Sequence, residues 1–259
     1  MEKNWTIGCD PEIFLANQED KVKSVIGLIG GDKWSPRILT QEGHAVLEDN
    51  VAVEFNIPPC DSFDSFLREV KNTMDMIKGI LPSNLHYVAD SAISFPDEEL
   101  NCEAAWVFGC EPDFSAWTKS ENPKPNAEDQ NLRSAGGHIH VGSSVALDNP
   151  IHVVRAMDIF LGVPSTRLDT MGGLRRKLYG AEGAFRFKPY GVEYRTLSNF
   201  WIFSDTLIEW AYRGTQKALE YVSSGKGVPD EHSDLVRNCI RNGCSDSYNQ
   251  LQKLYSFEG

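Results

Sequence analysis

With 259 residues, 41% of them hydrophobic and 24% charged, the chain has a globular composition and length enough for a substantial core, as one large domain or two small ones. A net charge of −12, from 37 acidic against 25 basic residues, argues against non-specific nucleic-acid binding, which depends on basic residues and counterion release. No apolar run approaches the roughly 18–20 residues that span a bilayer, and Met1 to Thr6 pass straight into a strand-like pattern without a signal peptide. A cytoplasmic protein with no membrane partner is expected.

Residues 5–15 read as a first strand, Asn17 to Asp20 as a turn, and Val22 to Ile29 as a second strand closing a hairpin. Pro11 cannot donate to a ladder, so it marks an edge, a bulge or a strand end lifted toward a ligand. Gly30-Gly31-Asp32-Lys33 is a loop without P-loop spacing, yet it offers Lys33 to a phosphate. Residues 45–57 read as one long strand stopped by Pro58-Pro59. Asp61-Ser62 then caps a helix with Phe63, Phe66, Leu67, Val70, Met74 and Ile77 on its inner face, ending at Gly79. Strands recur near 86–95 and 104–110. The stretch Gly109-Cys110-Glu111-Pro112-Asp113 echoes Gly8-Cys9-Asp10-Pro11-Glu12, which draws Glu111 or Asp113 toward the same polar basin. Residues 118–133 are polar and almost without apolar anchors, as expected of a lid.

Helices are expected over 150–162 and 164–178, a connector over 179–187, a strand over 190–197, and a long helix from about Ser204 to Ser223. A short helix within 229–241 and another near the C-terminus complete the chain. No linker divides it. The reading is one α+β domain: a curved antiparallel sheet with helices packed on its outer face.

Four stretches carry polar chemistry on alternate residues: Asp10-Pro11-Glu12, Glu54-Phe55-Asn56, His138-Ile139-His140 and Glu193-Tyr194-Arg195. Residues two apart on a strand share a face. One sheet face would then gather carboxylates, imidazoles and a guanidinium, which is costly to bury without cations. Neither His-Glu-x-x-His nor zinc-knuckle cysteine spacing occurs among the six cysteines. A carboxylate-rich set with one or two imidazoles favours Mg²⁺ or Mn²⁺ over Zn²⁺. Such ions usually serve phosphates, and Arg195 suits charge developing in flight. Arg186 and Arg175-Arg176 are further candidates for phosphate contact, with a place near a helix end or at the surface as the alternative for the last two. Trp106, Trp117 and Trp201 are candidates for stacking on adenine, with core packing as the alternative.

The order of these motifs resembles the glutamine synthetase and glutamate–cysteine ligase superfamily of ATP-dependent carboxylate–amine ligases. It is most similar to the compact phage-encoded COOH–NH2 ligases of type 2. The resemblance runs from Gly8 to Trp201 and rests on Asp10-x-Glu12, Glu48-Asp49…Glu54, Gly-Gly-His138-x-His140 and Glu193-x-Arg195. It implies a glutamine-synthetase-like catalytic domain in the host cytoplasm that binds ATP. It places Glu12, His138 and Glu193 around one metal ion, and Asp10, Glu54 and either Glu48 or Asp49 around a second. Glu193, Arg186 and Arg195 are the expected catalytic residues; Lys33, His140, Arg186 and Arg195 are expected on the nucleotide. The partners implied are a small-molecule or peptide carboxylate and an amine, joined through an acyl phosphate. A metal-dependent hydrolase of an amide or phosphoester is the alternative from the same acids and histidines. A non-catalytic basin for metal or a basic peptide is the third reading.

Overall fold

The computed structural model describes residues 5–107, 113–123 and 128–257. Among these residues, alternation of apolar and polar side chains builds a sheet of eleven strands, paired antiparallel throughout. Nine lie side by side in the order β3 (Arg37–Ile38), β4 (Ala45–Asp49), β5 (Ala52–Asn56), β1 (Trp5–Asn17), β11 (Gly137–Ser143), β13 (Gly191–Tyr194), β12 (Ala184–Lys188), β8 (Phe114–Ser115) and β9 (Ser120–Glu121). The remaining two, β2 (Val22–Lys23) and β6 (Leu85–Val88), pair with the far end of β1. A separate ribbon joins β7 (Ala92–Ser94) to β10 (Leu132–Ser134). The architecture is thus α+β with a large antiparallel sheet.

One face of that sheet is apolar and carries helices. Ile7, Cys9, Val53, Phe55, Ile139, Val141, Val192 and Tyr194 are buried there. They share a core with α1 (Phe63–Ile80), α3 (Pro150–Met157) and α6 (Asp205–Ser223). The Ser62 hydroxyl accepts the Ser65 amide and starts α1, and Phe66, Val70, Thr73 and Ile77 turn inward at helical spacing. Phe66 is fully buried with its ring stacked on Trp201 at 5.9 Å. Phe66→Ala is expected to cost about 3–5 kcal/mol of unfolding free energy, read by urea denaturation. No helix among the described residues is long and apolar enough to cross a membrane.

The expected helix at 63–79, the β1–β2 hairpin and the long helix near 204–223 are present. Other elements differ. Residues 45–57 form a hairpin, not one strand: Asn50 adopts a left-handed φ of 55°, and Asp49 pairs with Ala52 across the turn. The second strand stops at Lys23 because the glycine-containing segment after it bends at Gly27, Gly30 and Gly31, all with positive φ. Glu103–Trp106 is a 3₁₀ turn where a strand was expected, and residues 108–110 of that stretch, like Glu111, lie outside the described residues. The expected lid is described only at 118–123 and 128–133.

The helix expected over 164–178 is broken. From α3 the chain passes through a π-helical turn (Asp158–Gly162) into α4 (Val163–Leu168) and halts at Asp169; α5 (Gly173–Leu178) begins after Gly172. The buried Asp169 carboxylate causes the halt by turning inward, where it accepts hydrogen bonds from Ser198 Oγ at 2.8 Å and Arg176 Nη1 at 3.2 Å. The expected connector over 179–187 instead contains most of β12. A short α2 (Ser144–Asp148) precedes α3, and α7 (Ser233–Asn242) and α8 (Ser245–Tyr255) close the chain.

Candidate functional site

Register assembles the polar face from segments far apart in sequence. Glu12 on β1 pairs with Glu54 on β5, and Asp10 with His138 on β11. His140 pairs with Glu193 on β13, which in turn pairs with Arg186 on β12. Five adjacent strands, β5, β1, β11, β13 and β12, thus place their alternate polar residues in one row, opposite the helix-covered core. That row, apart from the fully buried Glu193, floors a cleft of about 470 Å³ whose walls include Lys33, Asp49, Arg133, Arg175, Lys188, Tyr190 and Arg195.

The acids fall into two groups. Single ligand atoms of Asp10, His140 and Glu193 lie within 4.8 Å of one another, and so do single oxygens of Glu12, Asp49 and Glu54. This division departs from the expected one, which put Glu12 with His138 and Glu193, and Asp10 with Glu54. The cause is register: Asp10 lies on the stretch of β1 paired with β11, and Glu12 on the stretch paired with β5. His138 lies beside the first group, its Nδ1 3.3 Å from Asp10 Oδ1 and 3.8 Å from Glu193 Oε1. His140 Nε2 lies 3.0 Å from Asp10 Oδ1, while its Nδ1 meets the Tyr190 hydroxyl. Gly136 allows this crowding, since a Cβ there would fall 2.2 Å from His138 Nε2 and 2.9 Å from Arg175 Nη2. Its amide donates to Glu12 Oε2 at 2.7 Å.

Glu48 does not join the site. Its carboxylate accepts the backbone amides of Gly27, Ile29 and Gly30 at 2.8–2.9 Å and pins the loop that precedes Lys33. Across the hairpin Glu48 pairs with Val53, on the face opposite Glu54, whereas Asp49 pairs with Ala52 and shares the face of Glu54.

A cationic wall faces the acids. Arg195 bonds the Glu193 carboxylate through Nη1, and its Nε is 3.6 Å from Asp113 Oδ2. Lys188 Nζ is 2.7 Å from Glu193 Oε2, and Arg186 Nη1 is 3.6 Å from Oε1. Arg175 is buried in the cleft and donates to the backbone oxygens of Thr196 and Arg195 at 2.9 and 3.2 Å. Arg176 is instead committed to Asp169. Lys33 and Pro36 also line the cleft. Trp106, Trp117 and Trp201 are not among the lining residues: Trp201 is core, Trp117 is buried, and Trp106 lies under Arg133.

The charges are unevenly compensated. Burial pushes the Glu193 carboxyl up, as does Asp10, but Arg195 and the two histidines overcome this and hold it down at about 2. Burial likewise opposes ionisation of Asp10, yet His140 and His138 keep it well below the carboxylate range. Glu12, Asp49 and Glu54 go the other way. Burial leads in raising each, and at Glu12 and Glu54 the neighbouring acids add to it. Burial and Arg195 together hold His138 down to about 4, so it is neutral at pH 7 and available as a ligand. Three half-buried, mutually repelling carboxylates with oxygens in reach of one point are a donor set suited to a hard divalent cation.

Sequence reading overlooked Lys188 and Tyr190. Arg186 and Lys188 alternate on β12 as the other motifs do, but Arg186 fell in the stretch 179–187 read as a connector and Lys188 just past its end. Tyr190 sits in the turn between β12 and β13 and carries no such pattern.

Residues 128–213, a third of the chain, match the family model of the phage phiEco32-like COOH-NH2 ligase type 2. The match supports a ligase. It contains His138, His140, Arg175, Arg186, Lys188, Glu193 and Arg195, but none of the acids from β1, β4 and β5, which reach the site through sheet register. No curated protein matches the chain.

Proposed function

We propose that the cleft is the active site of an ATP-dependent carboxylate–amine ligase. The observation that carries this reading is the facing of two acid groups and a wall of cations across one sheet floor. Asp10, His140 and Glu193, with His138 beside them, would hold one divalent cation, and Glu12, Asp49 and Glu54 another, Mg²⁺ or Mn²⁺. Such ions supply neutralisation of polyphosphate charge against the acids when bound.

The chain's own residues do the rest. Arg195, fixed by Glu193 on one side and near Asp113 on the other, presents its guanidinium where charge builds on the transferring phosphoryl group. Arg186 and Lys188 extend that wall along β12, Arg175 backs it, and Lys33 also lines the cleft. In the reaction a carboxylate oxygen takes the γ-phosphoryl group as ADP departs. The amine nitrogen then attacks the acyl carbon, phosphate leaves with its bonding pair, and the nitrogen loses a proton. His140 and Tyr190, hydrogen-bonded at the Lys188 end of the cleft, flank the space where the acceptor enters. A hydrolase would have little use for so many cations beside the acids.

The test is ADP release with ATP and Mg²⁺ against paired pools of carboxylates and amines. The expected result is ADP and phosphate formation that requires one member of each pool. Cleavage of an amide or phosphoester without ATP would replace this reading with the hydrolase.

A further inference from the structure

Behind the cationic wall, on the helical side of the sheet, lies a carboxylate that the chemistry above does not use. Asp158 opens the π-helical turn, is fully buried, and makes no ion pair among the described residues. Its Oδ1 accepts the Tyr194 hydroxyl at 2.8 Å and, more weakly, Thr196 Oγ1 at 3.4 Å; its Oδ2 accepts Trp117 Nε1 at 2.6 Å. Burial pushes this carboxyl up to about 7, against the hydrogen bonds from Trp117 and Tyr194. Burying a carboxylate without a cation is costly, so the three donors give it a purpose only where their placement matters.

Those donors belong to the two segments that place Arg195. Tyr194 stands between Glu193 and Arg195, and Thr196 follows directly. Trp117 lies in the turn joining β8 to β9, and β8 follows Asp113, the acid near Arg195 Nε. The turn is fastened again by Arg155, whose guanidinium lies over the Trp117 ring at 4.7 Å and whose Nε donates to the Ala116 carbonyl at 3.0 Å. The helix has made room for the contact. A Cβ on Gly162, the last residue of the π turn, would fall 2.6 Å from the Tyr194 hydroxyl and 3.2 Å from Asp158 Oδ1. Single π turns within α-helices occur often at functional sites because they re-aim one residue.

We propose that Asp158 is a positioning residue that ties the β8–β9 turn to the end of β13 and thereby sets Glu193 and Arg195 in the cleft from behind. The role rests on the reading of the cleft as a metal-holding ligase site. A 1 Å misplacement of a catalytic group is worth about 10²-fold in rate, and loss of an outer support costs a metal site about 10- to 100-fold in affinity.

The experiment compares wild type with Asp158→Asn and, as a milder probe, Tyr194→Phe. Mn²⁺ binding is followed by electron paramagnetic resonance, the tryptophan indole N–H signals by NMR, and turnover by ADP release. Expected are one indole signal displaced in Asp158→Asn, Mn²⁺ affinity about tenfold weaker in both variants, and turnover about 10- to 100-fold lower with the KM for ATP within about threefold. If Asp158→Asn does not fold, Tyr194→Phe decides. Wild-type Mn²⁺ affinity and turnover in a folded variant overturn the proposal. A wild type without turnover whose Mn²⁺ affinity still falls in the variants removes the ligase reading and leaves the positioning role standing.

Discussion

Glu193→Gln is expected to lower metal-dependent ADP release by at least about 10³-fold, the scale of losing a charged group at a phosphoryl-transfer centre. Glu193 is fully buried and meets Arg195, Lys188, Arg186 and His138 at once. Gln keeps the shape and removes the charge. Two losses coincide: the Asp10–His140 group loses its second anionic partner, and three cations are left with one acid fewer between them. Breaking a buried charge network in this way also costs on the order of 3–5 kcal/mol of stability. Circular dichroism and a melting curve must therefore accompany the assay, and Arg195→Lys is the companion variant. Lys keeps the charge but cannot bond Glu193 with a planar fork, so its activity should fall while Mn²⁺ still binds. A folded Glu193→Gln protein with undiminished turnover would take Glu193 out of the site.

The four alternating stretches were legible because strand geometry is short-ranged: two residues apart means one face. Which acids share a group was not, since that depends on register between strands. Asp10 and Glu12 are one pleat apart on β1, yet the first pairs with His138 and the second with Glu54. The choice between Glu48 and Asp49 was hidden by a single residue. Asn50 turns the chain through a left-handed φ at the end of the polar triplet Glu48-Asp49-Asn50, which sits between two apolar runs that read together as one strand. Once the hairpin is placed, pairing of Asp49 with Ala52 puts Asp49 on the face of Glu54, and Glu48 on the other. Lys188 was lost because β12 was read as a connector over 179–187, after Gly180 and Gly183, which left Lys188 between that connector and the next strand. Asp158 left no sequence signal: an isolated acid in a helix looks solvated, and only the π turn and the packing of Tyr194 and Trp117 make it otherwise.

The second large effect concerns stability and has the opposite sign to most changes in a buried site. Glu12, Asp49 and Glu54 are all raised in the folded protein, with Glu12 moved from its usual 4.5 up to about 7. A carboxyl raised by folding binds its proton more tightly in the native state, so its favourable contribution is complete below the unfolded pKa. That contribution is lost as pH climbs through the folded one. The metal-free protein should therefore lose stability from Glu12 between pH 4.5 and about 7, with Asp49 and Glu54 acting in the same direction. His138, held down to about 4, acts in the reverse sense over part of that window, and so the informative quantity is the difference between proteins. Glu54→Gln removes one of the three repelling charges. In chelator-treated protein it should raise the unfolding free energy by about 1–2 kcal/mol at pH 7.5 and have little effect near pH 4.5. With Mn²⁺ added the order should invert, because wild type gains binding free energy that the variant forgoes. Urea denaturation at both pH values, with chelator and with Mn²⁺, reads all four states. A variant less stable than wild type at pH 7.5 without metal would mean that the three carboxylates are held by hydrogen bonds rather than waiting for a cation.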